Sequence, residues 1–204
     1  MFRRLSPSAP LAALFLTAAT LITQAPAPAQ AADRAPPEWK AGATVSGTVI
    51  QVIDGDTLRV RSSGGLADVR LHGLDAPEYN QQCTNSTGAP FQCGAEATAQ
   101  MVGILRATAT ACASGHMHGT CLAGTGAPIT CQVLDLDRKW GRPVARCFFG
   151  QTDVARELVS RGYARSAYSH DYDLIAATAR FQRRGLWSGT WTDPAAVRHG
   201  KAAH

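Results

Sequence analysis

Three consecutive strand patterns joined by short turns, within residues 45–74, most restrict what this chain can fold into. VSGTVIQVI is rich in β-branched residues, and TLRVRS alternates polar and apolar side chains, as does VRLHGL after the turn SSGGLAD. Such a succession predicts an antiparallel meander. Further along the chain, TCQVLDLD and PVARCFFG have the pattern of a second hairpin, with DRKWGR at its tip.

Three helical patterns accompany these strands, at residues 94–107, 152–162 and 171–184. The third pattern places four side chains on a stripe expected to face inward, namely Leu174, Ala177, Thr178 and Phe181. About five strands and three helices around one core predict an α+β fold, a small and partly open β-barrel with the helices packed on it.

The N-terminus has the order of a secretory signal peptide. MFRR is basic, LAALFLTAATLI is apolar but too short to span a membrane, and Ala29-Gln30-Ala31 is a small-x-small cleavage site. An uncleaved anchor is the alternative. The sequence thus predicts a secreted or periplasmic protein with no membrane contact after cleavage. The expected divisions are a signal peptide at 1–31, a linker at 32–43, the folded domain at 44–188 and a flexible tail at 189–204.

The net charge says little about the partner. Cleavage after Ala31 removes Arg3 and Arg4, so the formal charge falls from +5 to +3. A mildly basic protein is compatible with a polyanionic substrate but is weak evidence for one.

Acidic and arginine side chains cluster near the predicted strand ends. Asp54 and Asp56 interrupt the apolar run in VIDGDTLRV, and because strand side chains alternate, both lie on one face. The segment VRLHGLDAPE then supplies Arg70, Asp75 and Glu78. A turn or bulge would account for the first pair alone, and any single arginine is most simply a surface residue.

The whole set has a common chemistry. Hard divalent cations require several oxygen ligands, which carboxylates and main-chain carbonyls provide. Phosphoryl transfer requires a cation, a positioned water and guanidinium groups that bind the phosphate oxygens. A further arginine, Arg142 in the WGR turn, extends the set.

These segments resemble one family. IDGDT, followed by RLxGxDAPE, WGR, ELVSRGYA and RRGLWSG, is similar in order and spacing to the secreted staphylococcal nuclease (thermonuclease) family, over about residues 45–187. The resemblance implies an OB-fold barrel of five strands with three helices. It also implies a Ca²⁺-dependent phosphodiesterase, an endonuclease that acts on DNA and RNA.

The resemblance also implies a calcium site. Asp56 and Asp75 match the carboxylate ligands, and the backbone carbonyl of Ala76 matches the third protein ligand. The family has Thr at this third position, a change of little consequence because only the carbonyl is needed. Asp54 and Thr57 would support the ligands without binding the ion directly.

Catalytic and substrate-binding positions carry over in the same way. Glu78 matches the general base for the attacking water, and Arg70 and Arg142 match the pair that binds the scissile phosphate and stabilises its transition state. The remaining matches are substrate-binding positions, namely Lys139, Trp140, Tyr168 and His170.

Two departures from the family pattern concern the substrate side. The turn has one more residue between Asp137 and Arg142 than the family's usual D-K/R-Y/W-G-R, so its geometry is left open. The family's two binding tyrosines correspond to Tyr168 and His170, which would alter stacking or phosphate contacts.

The connection at residues 108–130 is longer than the usual connection in the family. His116 and His118 within it could bind a metal as an i,i+2 pair, although a mobile polar loop is the favoured interpretation. The expected protein is a monomer that acts on DNA or RNA, with no protein partner implied. The alternative is a non-catalytic OB-fold module that binds nucleic acid through a basic groove and stacked aromatic side chains.

Six cysteines remain after cleavage, an even number that favours disulfides in an exported chain. No CxxC occurs, which argues against a zinc site. Six cysteines allow fifteen pairings, of which we expect the sequential one. The last pair would join the two hairpin arms on either side of Arg142, because antiparallel strands bring such positions within bridging distance. The expected bridges are Cys83–Cys93, Cys112–Cys121 and Cys131–Cys147.

Overall fold

The computed structural model describes residues 35–112 and 119–200, which belong to one compact unit spanning Asp33–His204. The predicted signal peptide, the first residues of the linker, and His116 and His118 lie outside the described residues. Within the described part, no helix is long and apolar enough to cross a membrane.

The elements of the described residues are as follows. The strands are β1 Thr44–Val52, β2 Thr57–Ser62, β3 Gly65–Leu71, β4 Leu74–Asp75, β5 Cys83–Thr84, β6 Pro90–Phe91, β7 Ala109–Thr110, β8 Thr120–Leu122, β9 Ala127–Leu136, β10 Pro143–Phe149, β11 Thr152–Asp153 and β12 Arg165–Ser166. The helices are α1 Cys93–Ile104, α2 Val154–Ser160, α3 Asp173–Phe181 and α4 Pro194–Arg198, with a 3₁₀ turn at Gly185–Ser188.

Five of the strands close into a barrel in the order β1, β2, β3, β10, β9, and β9 returns to pair with β1. Neighbouring strands are antiparallel except β3 and β10, which run parallel. The meander and the second hairpin are therefore confirmed, and the closed barrel with its helices confirms the predicted α+β, OB-fold architecture.

Side-chain alternation along β3 shows how the barrel is filled. Ala67, Val69 and Leu71 are buried in the core, whereas Asp68 and Arg70 point outward. Because strand side chains alternate between faces, the apolar positions fill the interior and leave the outer surface for charged groups. Arg70 thus stands on the barrel surface at the end of its strand.

The segment 108–130 extends the sheet instead of forming only a loop. Strand β8 pairs with the end of β1, with Gln51 opposite Cys121, and β7 pairs with β8 in turn. The described ends of this segment therefore cover one edge of β1.

Helix α2 begins as its sequence predicts. The side chain of Asp153 accepts a hydrogen bond from the backbone N–H of Arg156 at 3.0 Å, which satisfies one of the free donors at the helix start. Gly162 follows the helix with a positive φ of 80°, a conformation that glycine adopts without strain. The buried face of α2 packs on the barrel core through Val154, Ala155, Leu158 and Val159.

The inward face predicted for the third helix is wrong. Leu174 and Phe181 are 81% and 90% exposed, and the buried residue of α3 is Ala179. The two candidate stripes lie about 100° apart on the helix, so the sequence pattern alone does not fix the rotation. Tyr172 fixes it, because its ring is buried and its hydroxyl donates to Asp153 Oδ2 at 2.8 Å.

The segment beyond Trp191 also differs from the expected loose tail. Residues 194–198 form α4, and the side chain of Asp193 caps it by accepting from the N–H of Ala195 at 2.8 Å. Pro194 is buried at the first helical position, where its missing N–H costs no hydrogen bond. The Asp-Pro pair is thus a helix-start signal that the sequence analysis overlooked.

The six cysteines form the sequential bridges that the sequence predicts, Cys83–Cys93, Cys112–Cys121 and Cys131–Cys147. Cys131 lies directly opposite Cys147 in the β9–β10 ladder, and both are fully buried. This bridge therefore lies inside the barrel, across the two strands of the second hairpin.

Candidate active site

Two buried carboxylates meet at one guanidinium group on the barrel surface. Nη2 of Arg70 lies 3.2 Å from Asp56 Oδ2 and 3.1 Å from Asp75 Oδ1. Asp56 is only 2% exposed and Asp75 is 0% exposed. The structure thus joins residues that the sequence placed on different strand ends.

The turn between β1 and β2 brings Asp56 into this position. A Cβ added at Gly55 would lie 2.6 Å from the Cβ of Ala76 and 3.0 Å from that of Ala97 on α1. Only glycine allows the turn to approach the segment after β4 so closely. This close approach explains the glycine between the two aspartates.

Asp54 and Thr57 both contact Asp56. The Asp54 carboxylate accepts from the backbone N–H of Asp56 at 2.9 Å, and the Thr57 hydroxyl donates to Asp56 Oδ1 at 2.9 Å. Burial raises the pKa of the Asp54 carboxyl well above its usual range, and the neighbouring charges of Asp56 and Glu78 raise it further.

Asp75 is surrounded by arginine side chains. Besides Arg70, Nη2 of Arg165 lies 3.0 Å from Asp75 Oδ2, and Nη2 of Arg198 lies 2.8 Å from Asp75 Oδ1. Arg165 is delivered by β12, which pairs with β4 so that Arg165 lies opposite Asp75. One fully buried carboxylate thus draws compensating charge from three cations.

Glu78 joins the same cluster through Arg198. Nη1 of Arg198 donates to Glu78 Oε1 at 2.6 Å, while its Nη2 binds Asp75 and contacts the Tyr168 hydroxyl at 3.2 Å. Burial acts to lower the pKa of the Arg198 guanidinium, but the hydrogen bonds with Glu78 and Asp75 outweigh it and leave the pKa raised. The backbone of Glu78 is held in turn by Gln81, whose Oε1 accepts from its N–H at 3.2 Å.

Tyr168 lies over Arg70, with the guanidinium carbon 5.5 Å from the ring centroid. Burial of the Arg70 guanidinium acts to lower its pKa, and the charges of Asp56 and Asp75 outweigh this effect and raise it. Tyr168 is 69% exposed and has a positive φ of 64°. An exposed ring is therefore held beside the carboxylate cluster.

Arg142 stands apart from this cluster, in the turn between β9 and β10. Its Nε donates to Asp137 Oδ2 at 2.6 Å, and Asp137 also accepts from the N–H groups of Lys139 and Trp140. Burial would raise the pKa of Asp137, but the hydrogen bonds from Arg142 and Trp140 hold it below its usual value. Lys139 lies 4.8 Å from the ring of Trp140, which is largely exposed.

A groove of about 390 Å³ connects the two regions. Its lining includes Arg70, Tyr168, Leu134, Leu136, Asp137 and Arg138. The groove therefore reaches from Arg70 to Asp137, the carboxylate that Arg142 binds, while Arg142 itself is not among the lining residues.

His170 contributes to a separate surface contact. Its Nδ1 lies 2.7 Å from Asp173 Oδ2, and the hydrogen bond with Asp173 raises the pKa of the imidazole. Its side chain is almost fully exposed, and its described contacts go to the start of α3.

Arg165 and Arg198 are the site residues that the sequence analysis missed. Arg198 is separated from Asp75 by 123 positions and Arg165 by 90, so no local pattern connects them to the cluster. The only usable signal is indirect, namely the helix-start pair before α4.

The buried carboxylates provide two oxygen donors, of the roughly six to eight that a calcium ion takes. Among the described residues, no group of three or more His, Cys, Asp or Glu side chains is arranged to hold a metal. The buried pair Asp56 and Asp75 offers hard oxygen ligands. Three arginines form ion pairs with Asp75, so positive charge is favourable at this position. The other ligands would come from a main-chain carbonyl such as that of Ala76, from water and from substrate.

The fold and site define a class of protein, an OB-fold barrel with a buried acidic cluster and arginines beside an open groove. The family model described as "Staphylococcal nuclease homologue" matches residues 68–189, more than half of the chain. The chain therefore belongs to the staphylococcal nuclease family. The match begins after Asp56 and ends before α4, so Asp56 and Arg198 lie outside the matched residues.

The chain is also similar to a curated protein, "Succinoglycan biosynthesis protein ExoI" of Rhizobium meliloti (strain 1021). The two sequences are 29% identical over 154 residues, which is 74% of this chain and 69% of that protein.

Proposed function

We propose that this protein is an exported, Ca²⁺-dependent nuclease that hydrolyses phosphodiester bonds of DNA, RNA or both. The observation that carries the proposal is the meeting of Asp56 and Asp75 at one nitrogen of Arg70, with Glu78 joined to the same cluster. Family membership supports a nuclease-like activity in general, and the site geometry supports the assignment of roles.

Calcium would be held by Asp56, Asp75 and the carbonyl of Ala76, and it would supply positive charge against the phosphate oxygens when bound. Glu78 is half-buried at the rim of the cluster, where its carboxylate can take a proton from an attacking water. Arg70 presents its planar guanidinium beside the carboxylates and can bind the scissile phosphate through bidentate hydrogen bonds.

The groove supports binding of an extended polyanion. The exposed ring of Tyr168 lines it, as do Asp137 and Arg138 from the turn that also carries Lys139, Trp140 and Arg142. Bases stack on exposed aromatic rings, while cations follow the phosphate backbone. His170, which contacts Asp173 at the start of α3, is proposed as a further substrate contact.

Export is supported by two features. The first residues have the order of a signal peptide, and three disulfides link the folded unit, which is typical of oxidising compartments. We propose that the mature protein acts as a monomer outside the cytoplasm.

The alternative is a binding module without activity. The presence of Glu78 together with Arg70 and the two buried carboxylates favours the enzyme, because simple binding of nucleic acid requires no buried acidic pair.

A nuclease assay on the oxidised protein tests the proposal. We expect cleavage of DNA or RNA with Ca²⁺ and none with a chelator. Glu78→Gln should lower turnover about 10²–10⁴-fold, since it removes a general base. Arg142→Ala should lower turnover by a similar factor, because it removes a donor that stabilises the phosphate in the transition state. Arg156→Met, on the exposed side of α2, serves as the control and should retain full activity.

Binding without cleavage in wild-type protein at saturating Ca²⁺ would favour the alternative module. Near wild-type rates in Glu78→Gln or Arg142→Ala would remove that residue from the mechanism, provided that the circular dichroism of the variant matches wild type.

A further inference from the structure

The segment Thr190–Arg198, here called the C-terminal strap, crosses from the first disulfide loop to the carboxylate cluster. Thr84 and Thr190 exchange backbone hydrogen bonds at 2.9 and 3.0 Å, next to the Cys83–Cys93 bridge. The Gln81 amide then donates to the carbonyl of Thr192 at 2.7 Å. The start of the strap is thus fastened to the loop that follows Glu78.

The end of the strap is held mainly by charge. Asp193 lies 3.2 Å from Arg165 Nη2, and Arg198 binds Asp75 and Glu78. The helix between them has only five residues, of which Pro194 is buried. A helix this short is not stable by itself, so α4 depends on the contacts of its two charged ends.

The guanidinium of Arg198 places a positive charge between two carboxylates of the site. Its two terminal nitrogens bridge Asp75 Oδ1 and Glu78 Oε1, one the proposed calcium ligand and the other the proposed base. A calcium ion binds carboxylate oxygens at about 2.3–2.6 Å. An ion on Asp75 Oδ1 would therefore stand within a few ångströms of the guanidinium and repel it.

The same contact also engages one oxygen of the proposed base. A carboxylate that accepts a charge-assisted hydrogen bond of 2.6 Å has its basic oxygen engaged by the donor. While Arg198 remains in place, Glu78 Oε1 is not free to accept a proton from water.

We propose that the C-terminal strap is an autoinhibitory element, in which Arg198 and Ca²⁺ exclude each other at Asp75 and the bound ion releases Arg198 from Glu78. This inference rests on the calcium site of the proposed function. The strap would keep the nuclease closed at low calcium and open it where calcium is abundant.

The test measures calcium binding and strap mobility without substrate. Calcium is titrated calorimetrically into wild-type protein, Arg198→Met and the control Arg156→Met, which removes one charge from an exposed position on α2. We expect Arg198→Met to bind Ca²⁺ roughly ten- to a hundredfold more tightly, the factor that one charge-assisted hydrogen bond represents. The control should stay within about twofold of wild type.

Amide hydrogen exchange separates displacement of the strap from a simple charge effect. The N–H groups of Ala196 and Val197 bond to the carbonyl of Asp193 within α4. In wild-type protein these amides should exchange faster at saturating Ca²⁺. In Arg198→Met they should exchange fast with or without the ion.

Equal calcium affinity in Arg198→Met and wild type would overturn the proposal. Tighter binding with no change in α4 exchange would overturn it too, because it would show a charge effect without release. Absence of calcium binding in every variant would contradict the calcium site itself, and the strap proposal with it.

Discussion

At the residue scale, Asp75 is the centre of the site. It is fully buried, and its two oxygens bind Arg70, which is five positions away, and Arg165 and Arg198, which are 90 and 123 positions away. A buried charge is tolerated only when it is paired and hydrogen-bonded. The carboxylate therefore has a structural function in addition to its proposed role as a calcium ligand.

Asp75→Asn should lower the free energy of unfolding by about 3–5 kcal/mol in the presence of a chelator, because it leaves clustered guanidinium groups without their counter-charge. Urea denaturation measures this loss. Asp68→Asn is the matched control, since Asp68 pairs with Arg59 at 2.7 Å but is partly exposed. Its cost should be about 1 kcal/mol or less. Equal losses in the two variants would contradict the special position of Asp75.

At the element scale, the turn between β1 and β2 depends on a close contact between backbone segments. Gly55 lies against Ala76 and Ala97, so the turn that carries Asp56 is packed on both the segment after β4 and helix α1. Small residues at all three positions make this approach possible. The same contact brings Asp56 within reach of Arg70.

Gly55→Ala should destabilise the protein by about 1–3 kcal/mol, because the added methyl overpacks this contact. It should also weaken calcium binding by shifting Asp56. Gly103→Ala provides the control, since Gly103 lies in α1 with no neighbour closer than 4.0 Å to an added Cβ. That change should stabilise the helix by up to about 1 kcal/mol. Thermal and urea unfolding of both variants check the contrast.

At the scale of the whole molecule, β9 holds the barrel closed because it pairs with β1 on one side and β10 on the other. The Cys131–Cys147 bridge lies inside the barrel across the second of these ladders. The Cys112–Cys121 bridge, by contrast, joins the segment around the short edge strands β7 and β8. The two bridges therefore constrain different parts of the fold.

Replacing Cys131 and Cys147 together by alanine should lower the free energy of unfolding by about 2–4 kcal/mol. The matched pair Cys112→Ala and Cys121→Ala should cost less, because this bridge closes a shorter loop, with a sequence separation of 9 against 16. Denaturation under non-reducing conditions gives both values. A larger loss for the edge bridge would show that barrel closure does not depend on Cys131–Cys147.

Local sequence patterns were sufficient for most of the elements and for much of the cluster. Alternation within 45–74 predicted the meander, and the Asp153 cap and Gly162 marked the ends of α2. Carboxylates near strand ends singled out Asp56 and Asp75 in the sequence, and the structure brings both to Arg70. Cysteine order and the hairpin pattern predicted the three bridges.

The sequence by itself therefore determined where strands, helices and turns begin and end. Hydrophobic periodicity, helix caps and turn residues each act over only a few positions of the chain. Only the tertiary structure decided which stripe of α3 faces the core, since burial of Tyr172 sets its rotation. It alone also brought Arg165 and Arg198 to Asp75 across 90 and 123 positions of chain. Such contacts form because a buried carboxylate is costly in free energy unless positive charges pair with it, and Asp75 is buried only after the barrel has closed around it.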